Sequence, residues 1–453
     1  MKLSQLTGRL AVLGIISFFP FAVHALDLVG AYDAAVQHDP SQLAANEAVL
    51  AGREKSVQGD ALLRPRVGFQ AGVNYVDDHM SNNVPGAFAS LLPGHSTGTV
   101  HQAAVQLTQP LYDASASATR SQLHQQTKLA ETEYEQAQQN LMQRVSEAYF
   151  GVLLAQDNLR VAEASKAAIG LQRDRAQARF DVGRGKITDL QEAQARFDQV
   201  LTQEINAKNI LELRRAQLQE LVGSIPEGLA EVAPGLAASP PMPDSLSEWQ
   251  QRGEVHSSLV RERQSQLEIS RVEIDKFKAS GRPSLNLVAA YASQGQSGGL
   301  SPLLSASSDR NAAIGLQLTV PLYAGGGIDS REREAIARRD EAEDLLAAAK
   351  RDVRLQVQDA FLAVKTGVAR IASSEQYLKS ARSALAATTL GRDVGTRTEL
   401  DVLDAQQRAL TAEFDAAQAK VDYLLGRIRL AAAVGELSEV QLRETNGFLS
   451  VNP

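Results

Sequence analysis

Leu107-Thr-Gln-Pro-Leu-Tyr112 recurs, with a single substitution, as Leu318-Thr-Val-Pro-Leu-Tyr323. The proline of each copy opens a long run without proline, of 115 residues in the first copy and 131 residues in the second. Further along, matching residues stand 212 positions apart, as Asp189 and Asp401 do. The chain is therefore one unit written twice, and its fold should be sought in half its length.

Each half shows the same order of local patterns. A short helix is predicted first, and an Arg-Pro pair ends it, because proline disfavours helical backbone in the preceding residue. Two strands of alternating polarity follow, joined by a loop rich in Gly, Ser and Pro. The predicted segments are helices over 40–63 and 256–279, strands near 67–75, 103–108, 284–293 and 312–320, and loops over 77–99 and 295–309.

The strands carry apolar side chains on one face and small or polar ones on the other, as in Val67–Tyr75. This pattern is typical of a membrane β-barrel strand, although a half-buried strand of a soluble sandwich fits it equally well. Four strands are too few to close a barrel, and an open sheet edge cannot sit in lipid. If the strands form a barrel, several chains must share it.

The proline-free runs predict long helices with narrow stripes of alanine and valine. A stretch of about 65 residues would span roughly 100 Å at the helical rise per residue. Gly-containing turns interrupt both runs. The first run is predicted helical to Phe180, broken at 183–185 and helical again to Leu221; the second is predicted helical over 329–391, broken near Gly395 and helical again to Val434.

The chain is expected to divide into four parts. Lys2 and Arg9 precede an apolar stretch that ends at Val23-His-Ala25, which is typical of a secretory signal peptide cleaved near Leu26. Residues 26–222 form the first repeat, 223–247 a proline-rich linker and 248–453 the second repeat. Such a signal directs the protein out of the cytoplasm.

The composition excludes several classes of function. The chain has no cysteine, which excludes disulfides, thiol nucleophiles and a lipid anchor on cysteine. Its net charge of −7 disfavours nucleic acid as a partner. Its seven histidines show no helical metal-ligand spacing, and Gly325-Gly-Gly327 lacks the Lys-Ser/Thr of a phosphate loop. The sequence predicts no enzyme, no cofactor and no metal site.

Two groups of charged residues are candidates for function. Asp401 and Asp404 stand three residues apart after the second helical break, so both face one side of a helix. They fit either a solvated helix start or a ring of carboxylates repeated around a pore by oligomer symmetry. Arg397 could pair with Asp189 at the other helical break and form a latch that can be released.

The sequence resembles the TolC family of outer-membrane channel-tunnels over essentially the whole mature chain. The strings that carry the resemblance are Val394-Gly-Thr-Arg-Thr-Glu-Leu-Asp-Val-Leu-Asp404, Phe180–Gly183 with Ile187-Thr-Asp189, and Leu107–Tyr112. The resemblance implies a mainly α fold with a membrane β-barrel. In that fold a homotrimer contributes four strands per protomer to a 12-stranded barrel in the outer-membrane lipid. Long helices continue the barrel as a coiled-coil tunnel through the periplasm.

The resemblance also assigns roles to residues. Asp401 and Asp404 match the constriction ring, and Asp189, Thr188, Arg397 and Arg392 match the positions whose bonds close the tunnel tip. Arg392 replaces a tyrosine found in the family, so one closing bond would be lost or rebuilt as an ion pair with Asp189. The helix tips, which match docking points for a periplasmic adaptor, are Val182, Gly183, Val394 and Gly395.

The function implied is a passive exit duct that works with the adaptor and an inner-membrane ABC or RND pump. The resemblance of the tip to the TolC family, together with the absence of an N-terminal cysteine for a lipid anchor, favours type I protein secretion. Drug efflux is the alternative. The basic first tip, Arg184-Gly-Lys186, departs from the apolar tip expected and leaves the choice of adaptor open. A periplasmic coiled-coil scaffold without a pore is a more distant alternative.

Overall fold

The structure is a computed structural model that describes residues 25–79, 95–224, 228–298 and 306–450. The predicted signal peptide, residues 1–25, lies outside the described residues except for Ala25. In chain order the elements are α1 (Leu28–His38), α2 (Pro40–Ala61), β1 (Arg66–His79), β2 (His95–Asp113), α3 (Ala114–Asp181), α4 (Ile187–Val222), β3 (Glu231–Val232), α5 (Leu246–His256), α6 (Ser258–Ser280), β4 (Ser284–Gly298), β5 (Ala306–Thr319), α7 (Gly327–Asp393), α8 (Glu399–Ala433), α9 (Glu439–Asn446) and β6 (Leu449–Ser450).

The four long strands form one antiparallel sheet in the order β1-β2-β4-β5. Each predicted hairpin is present, and β2 pairs with β4 to join the two halves of the chain. Within the chain β1 and β5 are edge strands, and large apolar side chains such as Phe69 and Ile314 are exposed on them. A sheet with two open edges and an exposed apolar face needs partners to complete it.

The strands extend further than the sequence predicted. β1 continues to His79 and β4 to Gly298, so both strands enter the loops expected over 77–99 and 295–309. The rest of those expected loops, residues 80–94 and 299–305, lies outside the described residues. The polar strand ends stay in register, with Asp77 opposite Thr97 and His79 opposite His95. Strand pairing depends on backbone hydrogen bonds, which polar side chains do not prevent. The predicted loops begin too early because the first polar residues at the strand ends have the composition of a loop.

Two helices dominate the rest of the molecule. The 68 residues of α3 and the 67 of α7 would each be about 100 Å long at the helical rise per residue. Asp113 at the end of β2 caps α3, since its Oδ1 accepts from the backbone N–H of Ala116 at 2.8 Å. No helix in the described part of the chain combines the length and apolar character needed to cross a membrane.

The main hydrophobic core lies where the helices of both halves meet the segment between the halves. Tyr149 on α3 is fully buried, and its hydroxyl lies within hydrogen-bond reach of the carbonyls of Leu26 and Ala230, at 3.0 and 2.8 Å. Tyr423 on α8 is linked to the backbone of Ser239, whose N–H donates to the tyrosine hydroxyl at 3.0 Å. The proline-rich segment is thus fastened to the helices.

The sequence did not predict the smallest elements. Helices α1, α5 and α9 and the two-residue pair β3–β6 carry patterns too short to distinguish from loops. All of them lie in or beside the core, and α1 buries Leu28 and Tyr32. They form because tertiary packing stabilises them, which local periodicity cannot show.

Candidate functional site at the helical tips

The two breaks in the long helices are tight turns built the same way. After α3, the N–H of Gly183 donates to Phe180 O and that of Arg184 to Arg179 O. After α7, equivalent bonds run from Gly395 to Arg392 and from Thr396 to Gly391. This is the Schellman pattern, and it needs a left-handed residue, here a glycine with φ of 71° in the first turn and 81° in the second.

The four residues predicted as adaptor-docking points occupy these turns. Val182 and Val394 are 69% and 67% exposed, and a Cβ added to Gly183 or Gly395 would meet nothing within 4 Å. Each turn therefore presents a bare backbone and one apolar side chain to its surroundings. This shape suits contact with another protein, because little side-chain entropy is lost there on binding.

The two turns lie beside each other. A groove of about 230 Å³ is lined by Arg179, Gly185 and Asp189 from the first hairpin and by Thr398 and Leu403 from the second. The structure thus brings the predicted latch acid Asp189 next to the start of α8. The remaining side chains of the groove include Glu192, Arg196 and Glu399.

Asp401 caps its own helix. Its Oδ2 accepts from the backbone N–H of Thr398 at 2.8 Å, and the Thr398 hydroxyl accepts from the N–H of Asp401 at 3.1 Å. This reciprocal pair is a capping box that satisfies two free donors at the start of α8. The bonds from Thr398 lower the pKa of the Asp401 carboxyl below its usual value, with a smaller contribution from the nearby Arg397 and Arg408.

Asp404 is freer than Asp401. It is 53% exposed on its side chain, and the closest cation is Arg196 on α4, with Nη1 3.6 Å from its Oδ1. Asp401 and Asp404 share one face of α8, as their spacing predicted. One chain thus presents a carboxylate occupied by helix capping and a second one available to solvent.

Within one chain the structure does not bring the predicted latch residues into contact. Among the described residues, Arg397 and Asp189 form no ion pair, and Thr188 reaches Asp189 only at 3.5 Å. Arg392 lies 2.5 Å from Asp393, which raises the pKa of the guanidinium, and 3.7 Å from Glu399. The predicted bonds from Arg397 or Arg392 to Asp189 stay predictions.

Glu399 is a residue of the tip that sequence reasoning missed. Its side chain is 18% exposed, and it accepts a hydrogen bond from Arg175 on α3 while Arg392 on α7 lies beside it. It therefore ties the first hairpin to the second. The sequence did carry one signal for Glu399. It stands 212 residues after Ile187, so a charged residue occupies the position that is apolar in the first repeat.

Further ion pairs join α3 to α8 along their length. Arg160 reaches Glu413 at 2.6 Å, and Arg429 reaches Glu147 at 2.9 Å. Burial opposes ionisation of Glu413, but hydrogen bonds from Arg160 and Arg382 outweigh it and lower the pKa of that carboxyl. With the Glu399 pair, they place an ion pair at three levels between the two antiparallel helices.

The family model described as outer membrane efflux protein matches residues 31–224 and 253–436. The chain is 33% identical to the outer membrane protein TolC of Vibrio cholerae over 97% of each chain. It is 30% identical to the alkaline protease secretion protein AprF of Pseudomonas aeruginosa, covering 92% of this chain and 86% of that protein. The crystal structure of the Campylobacter jejuni CmeC outer membrane channel superposes with a TM-score of 0.75 at 18% identity, covering 93% and 90% of the chains.

Proposed function

This chain belongs to the outer membrane efflux protein family, and from that premise we propose that it is the exit duct of a tripartite system that secretes proteins. The observation that carries the proposal is the continuity of the four-stranded sheet with helices about 100 Å long. Such a chain can cross an outer membrane with its strands and reach through the periplasm with its helices. The family is one of passive channels, and we propose no chemistry for this member.

Three copies of the chain would complete the barrel. The edges β1 and β5 are both unpaired within one chain, so β5 of one copy can pair with β1 of the next. Three copies give 12 strands, above the usual minimum of about eight, and leave no open edge in lipid. The exposed Val67, Phe69 and Val73 would then face the acyl chains.

The tip would be the gate of this duct. We assign its closure to Asp189, Thr188, Arg392 and Arg397 acting between neighbouring chains, and to the Arg175–Glu399 pair within each chain. Exposed ion pairs contribute only about 0–1 kcal/mol each, so contact with a partner can break them. The exposed Val182–Gly183 and Val394–Gly395 are the proposed contact points for a periplasmic adaptor, which would join the duct to an inner-membrane ABC or RND pump.

Asp401 and Asp404 would form the constriction. Around a threefold axis they give six carboxylates, of which the three from Asp404 pair, among the described residues, only with Arg196 at 3.6 Å. A ring of carboxylates lowers the free energy of cations in a narrow pore and attracts divalent ions most strongly. The duct would therefore favour cations until the tip opens.

Protein cargo is favoured by the full-length similarity to AprF, whose name states alkaline protease secretion. The family model, whose description names efflux, leaves small-molecule efflux as the second candidate. The signal peptide proposed over residues 1–25 would send the chain to the periplasm, from which it would insert into the outer membrane.

The test compares culture supernatants of a deletion strain and a complemented strain by proteomics. We expect one or a few proteins to disappear on deletion and to return with the wild-type chain. A variant with Val182 and Val394 both changed to Asp should fold, because both sites are exposed, yet it should not restore secretion. An unchanged supernatant together with increased drug susceptibility would overturn the cargo assignment in favour of small-molecule efflux.

A further inference from the structure

The outer end of the β1–β2 hairpin brings together two histidines and an aspartate. His79 is the last residue of β1 and lies directly opposite His95, the first residue of β2. Asp77 is two residues before His79, so the alternation of a strand puts it on the same face. The three side chains thus meet at one end of the sheet, far along the chain from the helical tips.

The ligand atoms of these residues lie close together. The same oxygen, Oδ1 of Asp77, lies 3.3 Å from Nδ1 of His79 and 3.3 Å from Nδ1 of His95. The imidazole rings are 4.1 Å apart at their centroids and tilted by 51°. All three ligand atoms lie within 4.8 Å of one another.

These distances match a tetrahedral metal site. Ligand atoms about 2.0–2.2 Å from a zinc ion, at tetrahedral angles, are separated by about 3.3–3.5 Å. By contrast, 3.3 Å is longer than the usual N–H···O hydrogen bond of about 2.7–3.2 Å. Two imidazole nitrogens at this distance from one carboxylate oxygen therefore fit ligands around a shared metal ion better than they fit hydrogen bonds to that oxygen.

We propose that Asp77, His79 and His95 form a binding site for a divalent transition-metal ion, with Zn²⁺ the best match. Two imidazole nitrogens and one carboxylate oxygen are ligands that Zn²⁺ accepts, and three protein ligands leave one position for water. Among the residues that the structure describes, no other group of three His, Cys, Asp or Glu side chains meets the geometry of a metal site. The ion would link the end of β1 to the start of β2.

The histidines of this site do not show the helical spacing by which metal ligands are recognised in a sequence. The two histidines are 16 residues apart and meet only through the strand register. The site is exposed, so its affinity depends on how far the hairpin fixes the side chains before the ion arrives. The paired backbone of both strands supplies that preorganisation.

The proposal is tested by calorimetric titration of the purified full-length protein in detergent with ZnCl₂ after treatment with a chelator. We expect one ion per chain, and replacement of Zn²⁺ by Co²⁺ should give the intense visible absorption of tetrahedral cobalt. His79→Gln and His95→Gln should each weaken binding by about tenfold or more, since each removes one ligand.

His124→Gln is the matched control. His124 also lies beside an aspartate, at 3.1 Å from Asp60. The neighbour of that aspartate is Arg120 instead of a second histidine, and the arginine charge repels a cation. This variant should bind Zn²⁺ like the wild type. Zinc binding that survives in both His79→Gln and His95→Gln, or a wild type that binds no Zn²⁺ or Co²⁺ at millimolar concentration, would overturn the proposal.

Discussion

The two helical tips share a backbone but differ in how their second helix begins. Lys186 stands at the N-cap of α4 and makes no capping bond with its side chain, whereas Thr398 at the N-cap of α8 forms a capping box with Asp401. Asp189 and Asp401 occupy the same position in the two repeats. The residue at the N-cap therefore decides whether the aspartate serves its own helix or is available to another partner.

The different N-caps account for the different roles that we propose for the two aspartates at matching positions. In the second tip, capping uses one oxygen of Asp401, and Glu399 supplies the bond to the first hairpin. In the first tip Asp189 takes no part in a capping box, and Ile187 stands at the position of the glutamate. The two tips thus share one backbone, while their side chains give the second tip a tie to the first hairpin and leave Asp189 of the first tip without a capping role.

The largest expected effect comes from breaking that tie. Glu399→Gln removes the charge that Arg175 and Arg392 share, so we expect the tip to open more often and the conductance to rise several-fold in planar bilayers. Ile187→Gln places the same side chain at the matching position of the first tip and should leave the conductance unchanged. Equal conductance of both variants and the wild type would show that Glu399 does not contribute to closure.

A second experiment addresses the backbone that the tips share. Gly183→Ala and Gly395→Ala should each destabilise the local turn by about 1–2 kcal/mol, because a left-handed backbone is costly for alanine. The cost should be the same in both tips, since the added Cβ meets nothing at either one. Hydrogen exchange of the amides around each turn measures it, and Gly235→Ala, which also meets nothing, is the control. Unequal costs would show that the turns differ in more than their caps.

The cap itself has the smallest expected effect. Thr398→Ala should destabilise the first turn of α8 by about 1 kcal/mol, and Lys186→Thr should stabilise α4 by a similar amount because Asp189 completes a capping box there. Hydrogen exchange of the first-turn amides gives both values. The lowered pKa of Asp401 means that its contribution is present at neutral pH and lost as pH falls through that pKa. If Lys186→Thr gives no protection, the N-cap residue does not explain the difference.

Much of this fold could be predicted before the structure was known. The four strands and the four long helices follow from periods of two and about 3.6 residues, and the glycines mark the turns between helices. The positions of Val182, Gly183, Val394 and Gly395 in the turns are local features of this kind. The prediction failed at the strand ends and the short core elements, where backbone pairing and packing outweigh side-chain polarity.

The sequence by itself determined that the chain is a doubled unit of hairpin and long helices with glycine turns, because those features depend on neighbouring residues. Only the tertiary structure decided which charges meet. Arg175 and Glu399 are 224 positions apart and pair because α3 and α8 pack side by side. His79 and His95 converge because of strand register. Such contacts depend on the relative placement of whole elements, which no local pattern encodes.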